Sequence, residues 1–263
     1  MLTITIFGTG NVARHLFDAF LDYPNKIRVV QVVGRSTTAL SYFKTHTSIA
    51  TKQDVLLQSD ICIIAVNDDA IASVSQRIES KNCIIVHTSG SQSINLLNTH
   101  RRSGVFYPLQ SFSKDLELDF KTIPICIEAT NKKDTQLLLQ LGEIISTQVV
   151  LMQSEQRKSM HLAAVFVNNF TNHLCTIAHE VCKEQELPFE LLQPLLKETV
   201  NKLDHLSPFL AQTGPAKRGD LSTMEAHLKL LTKTAHKTLY RHCLLYTSPS
   251  PRDRTRSRMP SSA

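Results

Sequence analysis

The chain has 263 residues, 42% of them apolar and 6% aromatic, with no Trp and a formal net charge of +6. That is apolar content enough for one or two buried cores. No apolar run reaches the ~18–20 residues of a membrane span, and the aromatic poverty argues against a base-stacking nucleic-acid platform.

The first half alternates strand and helix text. Residues 2–7 (LTITIF) form an alternating strand, and 11–21 carry apolar residues at helical spacing. A second strand spans 27–33, and ALSYFKTH continues as helix. Residues 60–66 (DICIIAV) are a continuous apolar run, expected of a strand covered by helices on both faces. DDAIASVSQRI (68–78) begins with two Asp suited to capping a helix. Strands follow at 83–87, 104–109 and 123–129, then a helix at 132–146 and a strand at 148–152. This order predicts an α/β Rossmann-like domain with a parallel sheet over residues 1–152. Beyond it, helical periodicity holds from residue 155 to Pro188, again over 189–206, and in one last helix over 222–245, with a loop at 207–220. An all-helical domain is therefore expected over 153–245, and its many-sided apolar helices predict a homodimer.

Half of the charge excess, +3, sits in the last 18 residues, YTSPSPRDRTRSRMPSSA, which hold almost nothing to bury. Residues 246–263 are read as a disordered, non-native tail, with a genuine basic tail for RNA or acidic lipid as the alternative. The rest of the chain is near neutral, so no nucleic-acid partner is expected. The six cysteines are scattered without a CxxC pair. They read as buried apolar fillers in a reducing cytoplasm, with neither a metal site nor a disulfide frame. The chain as written leaves no room for a signal peptide before Gly8, which also points to the cytoplasm.

The strongest motif is Gly8-Thr9-Gly10-Asn11-Val12-Ala13, a GxGxxA fingerprint between strand and helix. Gly8 permits the tight turn and Gly10 lets the backbone approach a pyrophosphate. Ala13 brings the helix close to the strand, and the helix N-terminus offers free N–H groups to the anion. An NAD site usually ends its second strand on Asp or Glu; here the text is Val33-Gly34-Arg35-Ser36. Arg35 can pair with a 2′-phosphate, and Ser36 and Thr37 can donate to it, so NADP(H) is the predicted cofactor. Arg35 as a solvated loop cation is the alternative.

Ligands of open parallel sheets bind outside the carboxyl ends of the strands. Val66, His87 and Ser89 have that address, as do Tyr107 and Ser111 after the next strand. His87 is a candidate for contacting the nicotinamide or the substrate, and equally for a buried structural role. On the long helix, at about 100° per residue, His161, Asn168, Asn172 and His179 fall near one line amid Ala, Val, Phe and Leu. Amides in apolar surroundings are costly unless bonded, so this line is expected to face a polar cleft, with a polar seam across a dimer as the alternative. In TGPAKRGD, Gly and Pro flank Arg218 as they would in a loop presenting one cation.

In order and spacing, GTGNVA, Asp60 with Asp68 and Asp69, HTSG, YPLQSF, HLAAVFVNNF and TGPAKRGDLSTMEAH resemble an uncharacterised oxidoreductase family over essentially residues 1–245. The resemblance implies a Rossmann-like NADP-binding domain followed by a helical domain of unknown function. More distantly, the layout is similar to pyrroline-5-carboxylate reductase, deazaflavin-dependent NADP oxidoreductases and the 3-hydroxyacid dehydrogenases. Those relatives imply hydride transfer at the domain junction of a dimer. Two departures stand out. The hydroxyacid enzymes place a Lys four residues before the Asn, where this chain has Val165 before Asn169, and the family usually shows His-Pro at Tyr107-Pro108.

The expectation is an NADP(H)-dependent oxidoreductase acting on a small-molecule carbonyl or imine. His161 is the general acid, since histidine as a residue type titrates near ~6.5. Asn168 or Asn169 orients the substrate, and Arg218 holds an acidic group or developing charge. A non-catalytic NADPH-binding sensor or scaffold is the alternative, motivated by the missing Lys.

Overall fold

The computed structural model describes residues 1–51, 54–79, 82–114 and 116–247. The chain divides into two compact units, Met1–Asn169 and Phe170–Ala263. Most of the tail set aside above, residues 248–263, lies outside the described residues.

The first unit is built on an eight-stranded sheet, made of β1 (Leu2–Phe7), β2 (Ile27–Val33), β3 (Ser48–Ala50), β4 (Ile61–Ile64), β5 (Ile84–His87), β6 (Ser103–Pro108), β7 (Ile125–Ala129) and β8 (Val149–Leu151). Their order across the sheet is β3-β2-β1-β4-β5-β6-β7-β8. All neighbouring pairs are parallel except β6 and β7, which run antiparallel. The sheet is parallel as expected except at that pair: among its described residues, the segment joining β6 to β7 carries only a short 3-10 turn at Phe120–Thr122, and β7 returns in the opposite direction.

Side chains alternate across this sheet and are buried on both faces. On one face Ile4, Ile6, Ile63, Val86, Phe106 and Ile127 pack with α1 (Asn11–Leu21) and α4 (Lys132–Ile145), through Leu16, Phe17, Phe20, Leu138 and Leu141. On the other, Phe7, Val33, Cys62, Ile64 and Ile85 pack with Ile71 of α3 (Ile71–Ser75) and with Leu97. Further along this second face lie Val105, Tyr107 and Cys126, with Met152 against them. Its last helix is α5 (Ser154–Ala164).

Several expected elements differ in extent. ALSYFKTH is not a helix: α2 (Thr37–Leu40) ends at Leu40 and turns follow, with Phe43 fully buried beneath α1. The segment 68–78 opens as a 3-10 turn, Asp68–Ala70, without a side-chain cap; Asp68 instead accepts a hydrogen bond from the Ser91 hydroxyl at 2.5 Å. β3 had no visible signal, being three residues at the sheet edge.

The long helical text is continuous through α5 and α6 (Thr171–Glu184), but a π turn, Val165–Phe170, lies between them. In the second unit follow α7 (Gln193–Asn201), α8 (Pro208–Ala211), α9 (Pro215–Arg218), α10 (Leu221–Leu230) and α11 (Thr234–Thr247). The single last helix expected over 222–245 is therefore two, broken where Leu231 turns to extended backbone. The break is held from outside: Thr232 donates to Glu184, and Lys233 pairs with Glu180 at 2.6 Å. The cysteine expectation holds for Cys62, Cys83 and Cys126, which are buried; Cys175 and Cys182 are half-buried and Cys243 is exposed.

Candidate active site at the carboxyl edge of the sheet

The GxGxxA turn joins β1 to α1. Gly8 has φ +131°, and a Cβ there would sit 2.0 Å from the Ala65 carbonyl oxygen, so only glycine fits. Gly10 is extended, and a Cβ on it would meet nothing within 4 Å, so its backbone is open to a ligand. The N-terminus of α1 carries neither a side-chain cap nor an acid in its first turn, which leaves donors and a positive dipole end for an anion. Ala13 is fully buried and lets the helix approach the strand; Val12 packs against the core.

At the end of β2, Arg35 is exposed, and none of the ion pairs among the described residues involves it. Ser36 caps α2, accepting from the Ala39 N–H at 3.3 Å. Thr9 lies against Gly34, where a Cβ would come 2.7 Å from its methyl. The amide of Asn11 is engaged: it donates to the Phe112 carbonyl at 2.9 Å, and His15 donates to that of Ser113 at 2.8 Å. The loop after β6 is thereby drawn over the first turns of α1. These features fit a dinucleotide phosphate at α1 and a 2′-phosphate at Arg35.

Over the next three strands, the same edge carries Val66 after β4, Thr88, Ser89 and Gly90 after β5, and Tyr107 on β6. His87 is fully buried and both ring nitrogens are used internally. Nδ1 accepts from the Ser89 N–H at 3.2 Å, and Nε2 faces the Ser93 carbonyl at 3.4 Å. Burial, seconded by the charge of Arg157, pushes His87 down to about 4, so the ring is neutral. Ser89 is likewise turned inward, its hydroxyl accepting from the N–H groups of Ser91 and Gln92.

His161, on α5, comes to this edge. Its Nδ1 is 3.1 Å from the Tyr107 hydroxyl, and the two rings meet edge-on at 6.1 Å. Both rest against Gly90, where a Cβ would lie 2.6 Å from His161 Nδ1 and 2.7 Å from Tyr107 Cζ. Asn168 and Asn169 stand in the π turn and are exposed. The π turn holds Asn168 and falls between His161 and Asn172, and within it the count of about 100° per residue does not apply. Arg218 belongs to the second unit, exposed at the end of α9.

Sequence reasoning missed the residue that ties this edge together. Arg157 is among the largest fully buried side chains. It donates to the Ser89 carbonyl at 3.2 Å, the Gln92 carbonyl at 2.5 Å, the Ser154 hydroxyl at 3.2 Å and the Glu128 carboxylate at 2.5 Å. Ser154 in turn donates to Glu128 at 2.7 Å and accepts from the Ile94 N–H at 3.0 Å. The register pairs His87 with Val105 and Val105 with Glu128, so Glu128 shares the sheet face of His87 and Tyr107. One signal was available: Arg157 precedes His161 by one helical turn and so shares its face.

A dinucleotide-type turn, an open sheet edge and a histidine–tyrosine pair over it define a protein of the Rossmann-like oxidoreductase class. Residues 3–90 match the family model described as NADP oxidoreductase, coenzyme F420-dependent, and residues 123–247 match a domain of unknown function, DUF2520. A Bacteroides fragilis protein described as a candidate NADP oxidoreductase is 36% identical over 94% of this chain and 97% of its own, with a TM-score of 0.86. The chain belongs to that family of NADP oxidoreductases, in which an NADP(H)-binding domain precedes the DUF2520 domain. A Thermotoga maritima protein (22% identity, 97% of this chain and 100% of that one, TM-score 0.71) shares the fold. So does 1-pyrroline-5-carboxylate reductase from Streptococcus pyogenes (13%, 94% and 98%, TM-score 0.63). No curated protein matches the sequence. No helix among the described residues is long and apolar enough to cross a membrane.

Proposed function

We propose that the protein is an NADP(H)-dependent oxidoreductase that exchanges hydride with a small carbonyl or imine. The observation that carries this reading is His161, held with Tyr107 over Gly90 at the edge that also bears the fingerprint turn. When bound, NADP(H) supplies the hydride chemistry. The α1 N-terminus and Gly10 backbone hold its pyrophosphate, and Arg35 with Ser36 its 2′-phosphate. His161 balances the charge: the substrate carbon gains hydride, its oxygen or nitrogen gains the proton of the imidazolium, and the ring is left neutral. His87, neutral and enclosed, shapes the wall beneath. Asn168, Asn169 and Arg218 enter on sequence grounds, as orienting amides and an anion holder. A cytoplasmic homodimer completes the reading, supported by exposed apolar side chains on the helical unit, among them Leu174, Leu191, Leu195 and Val200.

The test is a fluorescence titration with NADPH and separately with NADH, followed by a carbonyl and imine screen. NADPH should bind at least tenfold tighter. Arg35→Ser should remove that margin, since one charge-assisted bond is worth ~1.5–3 kcal/mol. His161→Ala should lower turnover and leave NADPH affinity alone. Binding of neither nucleotide defeats the reading. Binding without turnover of any tested substrate turns it into the sensor.

A further inference from the structure

Tyr107 has so far been only a neighbour, yet its setting is specific. It stands on β6 with its body packed against Val105 and Cys126, and its hydroxyl reaches the histidine. A phenol both donates and accepts. It can therefore accept from Nδ1–H both in the imidazolium and in the neutral ring left when Nε2 gives up its proton, while its own O–H points elsewhere. A carboxylate in the same place would favour the charged form more strongly and so oppose proton release. Burial pushes the Tyr107 hydroxyl up to about 12, so it keeps its own proton while the histidine exchanges one. Gly90 leaves the two rings the room to meet, and Arg157, one turn before His161, anchors α5 against the loops that carry Gly90.

We propose that Tyr107 is the positioning residue of His161: its hydroxyl holds Nδ1, which leaves Nε2 as the nitrogen that exchanges the proton with substrate. This rests on the function proposed above. In the transfer, the Nε2–H bond breaks, a bond from that proton to the substrate heteroatom forms, and Nδ1 stays hydrogen-bonded to Tyr107 before and after.

The experiment has two arms on the full chain. In protein labelled with 15N-histidine, without cofactor or substrate, Tyr107→Phe should shift the His161 Nδ1 resonance, assigned with His161→Gln, and leave the NADPH dissociation constant within twofold. An unmoved His161 resonance overturns the proposal. With whichever substrate the screen yields, Tyr107→Phe should lower kcat about tenfold, the loss of one such hydrogen bond, while on the His161→Ala background it should change kcat less than twofold. Equal loss on both backgrounds marks a merely structural tyrosine and also overturns it. If no substrate is turned over, the first arm still decides whether Tyr107 holds His161, and the failure belongs to the oxidoreductase reading instead.

Discussion

Arg157→Met tests the architecture beneath the site. The guanidinium is wholly enclosed, and its partner Glu128 is 16% exposed. The substitution keeps the unbranched stem and removes the charge. It leaves a largely buried carboxylate without its cation and the carbonyls of Ser89 and Gln92 without their donor. Breaking a buried pair from one side costs about 3–5 kcal/mol, most of it the stranded charge. Removing the charge as well, in Arg157→Met with Glu128→Gln, should restore part of that, because a neutral amide is cheaper to bury. With no Trp in the chain, urea unfolding followed by far-ultraviolet circular dichroism is the suitable assay. We expect the single variant to lose at least about 3 kcal/mol and the double variant to lose clearly less than the sum of the two singles. A single-variant loss below about 1 kcal/mol would refute the hub, as would additivity within about 0.5 kcal/mol.

Three other outcomes follow from the same structure. Gly8→Ala, placing a Cβ on the Ala65 carbonyl at a left-handed φ, should abolish NADPH binding and destabilise by more than the ~1–3 kcal/mol of backbone strain alone; wild-type affinity in a titration would contradict it. His87, held near 4 when folded against ~6.5 for an unfolded histidine, contributes stability that is complete above pH ~6.5, declines as pH falls and is gone below about 4. The total is about 3 kcal/mol. Urea midpoints of His87→Gln should show a flatter pH dependence across that window, and an unchanged slope would count against the buried neutral ring. Asn131→Ala removes the α4 cap, which accepts from the Asp134 N–H at 3.0 Å and donates to its carboxylate at 2.6 Å. It should cost about 1 kcal/mol, or ~2–4 °C in a thermal melt; an unshifted midpoint would show that the cap contributes nothing.

The elements legible in the sequence are those whose pattern is set by local packing. β1, α1 and β2 lie where alternation and helical spacing put them, because each buries one continuous apolar face within its own length. β4 reads as a solid apolar run because helices or turns cover both of its faces. The elements that escaped are set by distant partners. β3 exists through three register pairs with β2, and the α10–α11 break through Glu180 and Glu184 on α6. The antiparallel β7 was half visible: two strand texts with no helical text between them do not require a crossover.

The site divides along the same line. The fingerprint turn was legible because phosphate binding by backbone demands glycine at fixed spacing, a constraint written into consecutive residues. The histidine–tyrosine pair was not, since its members are 54 positions apart and meet only through sheet order. Arg157 was hidden for a different reason. In EQRKSMH a charged residue on a polar helix face reads as solvated, and periodicity marks only apolar faces as buried. Yet α5 meets the loop after β5 and the end of β6, where Arg157 serves the Ser89 and Gln92 carbonyls and His161 meets Tyr107. A helix packed there must bring donors, and arginine, with five N–H groups in one plane, can serve several carbonyls and a carboxylate at once. The polar face of α5 is thus its buried face. A rule that assigns polar residues to solvent fails over the end of a parallel sheet, which is also where such a sheet binds its ligands.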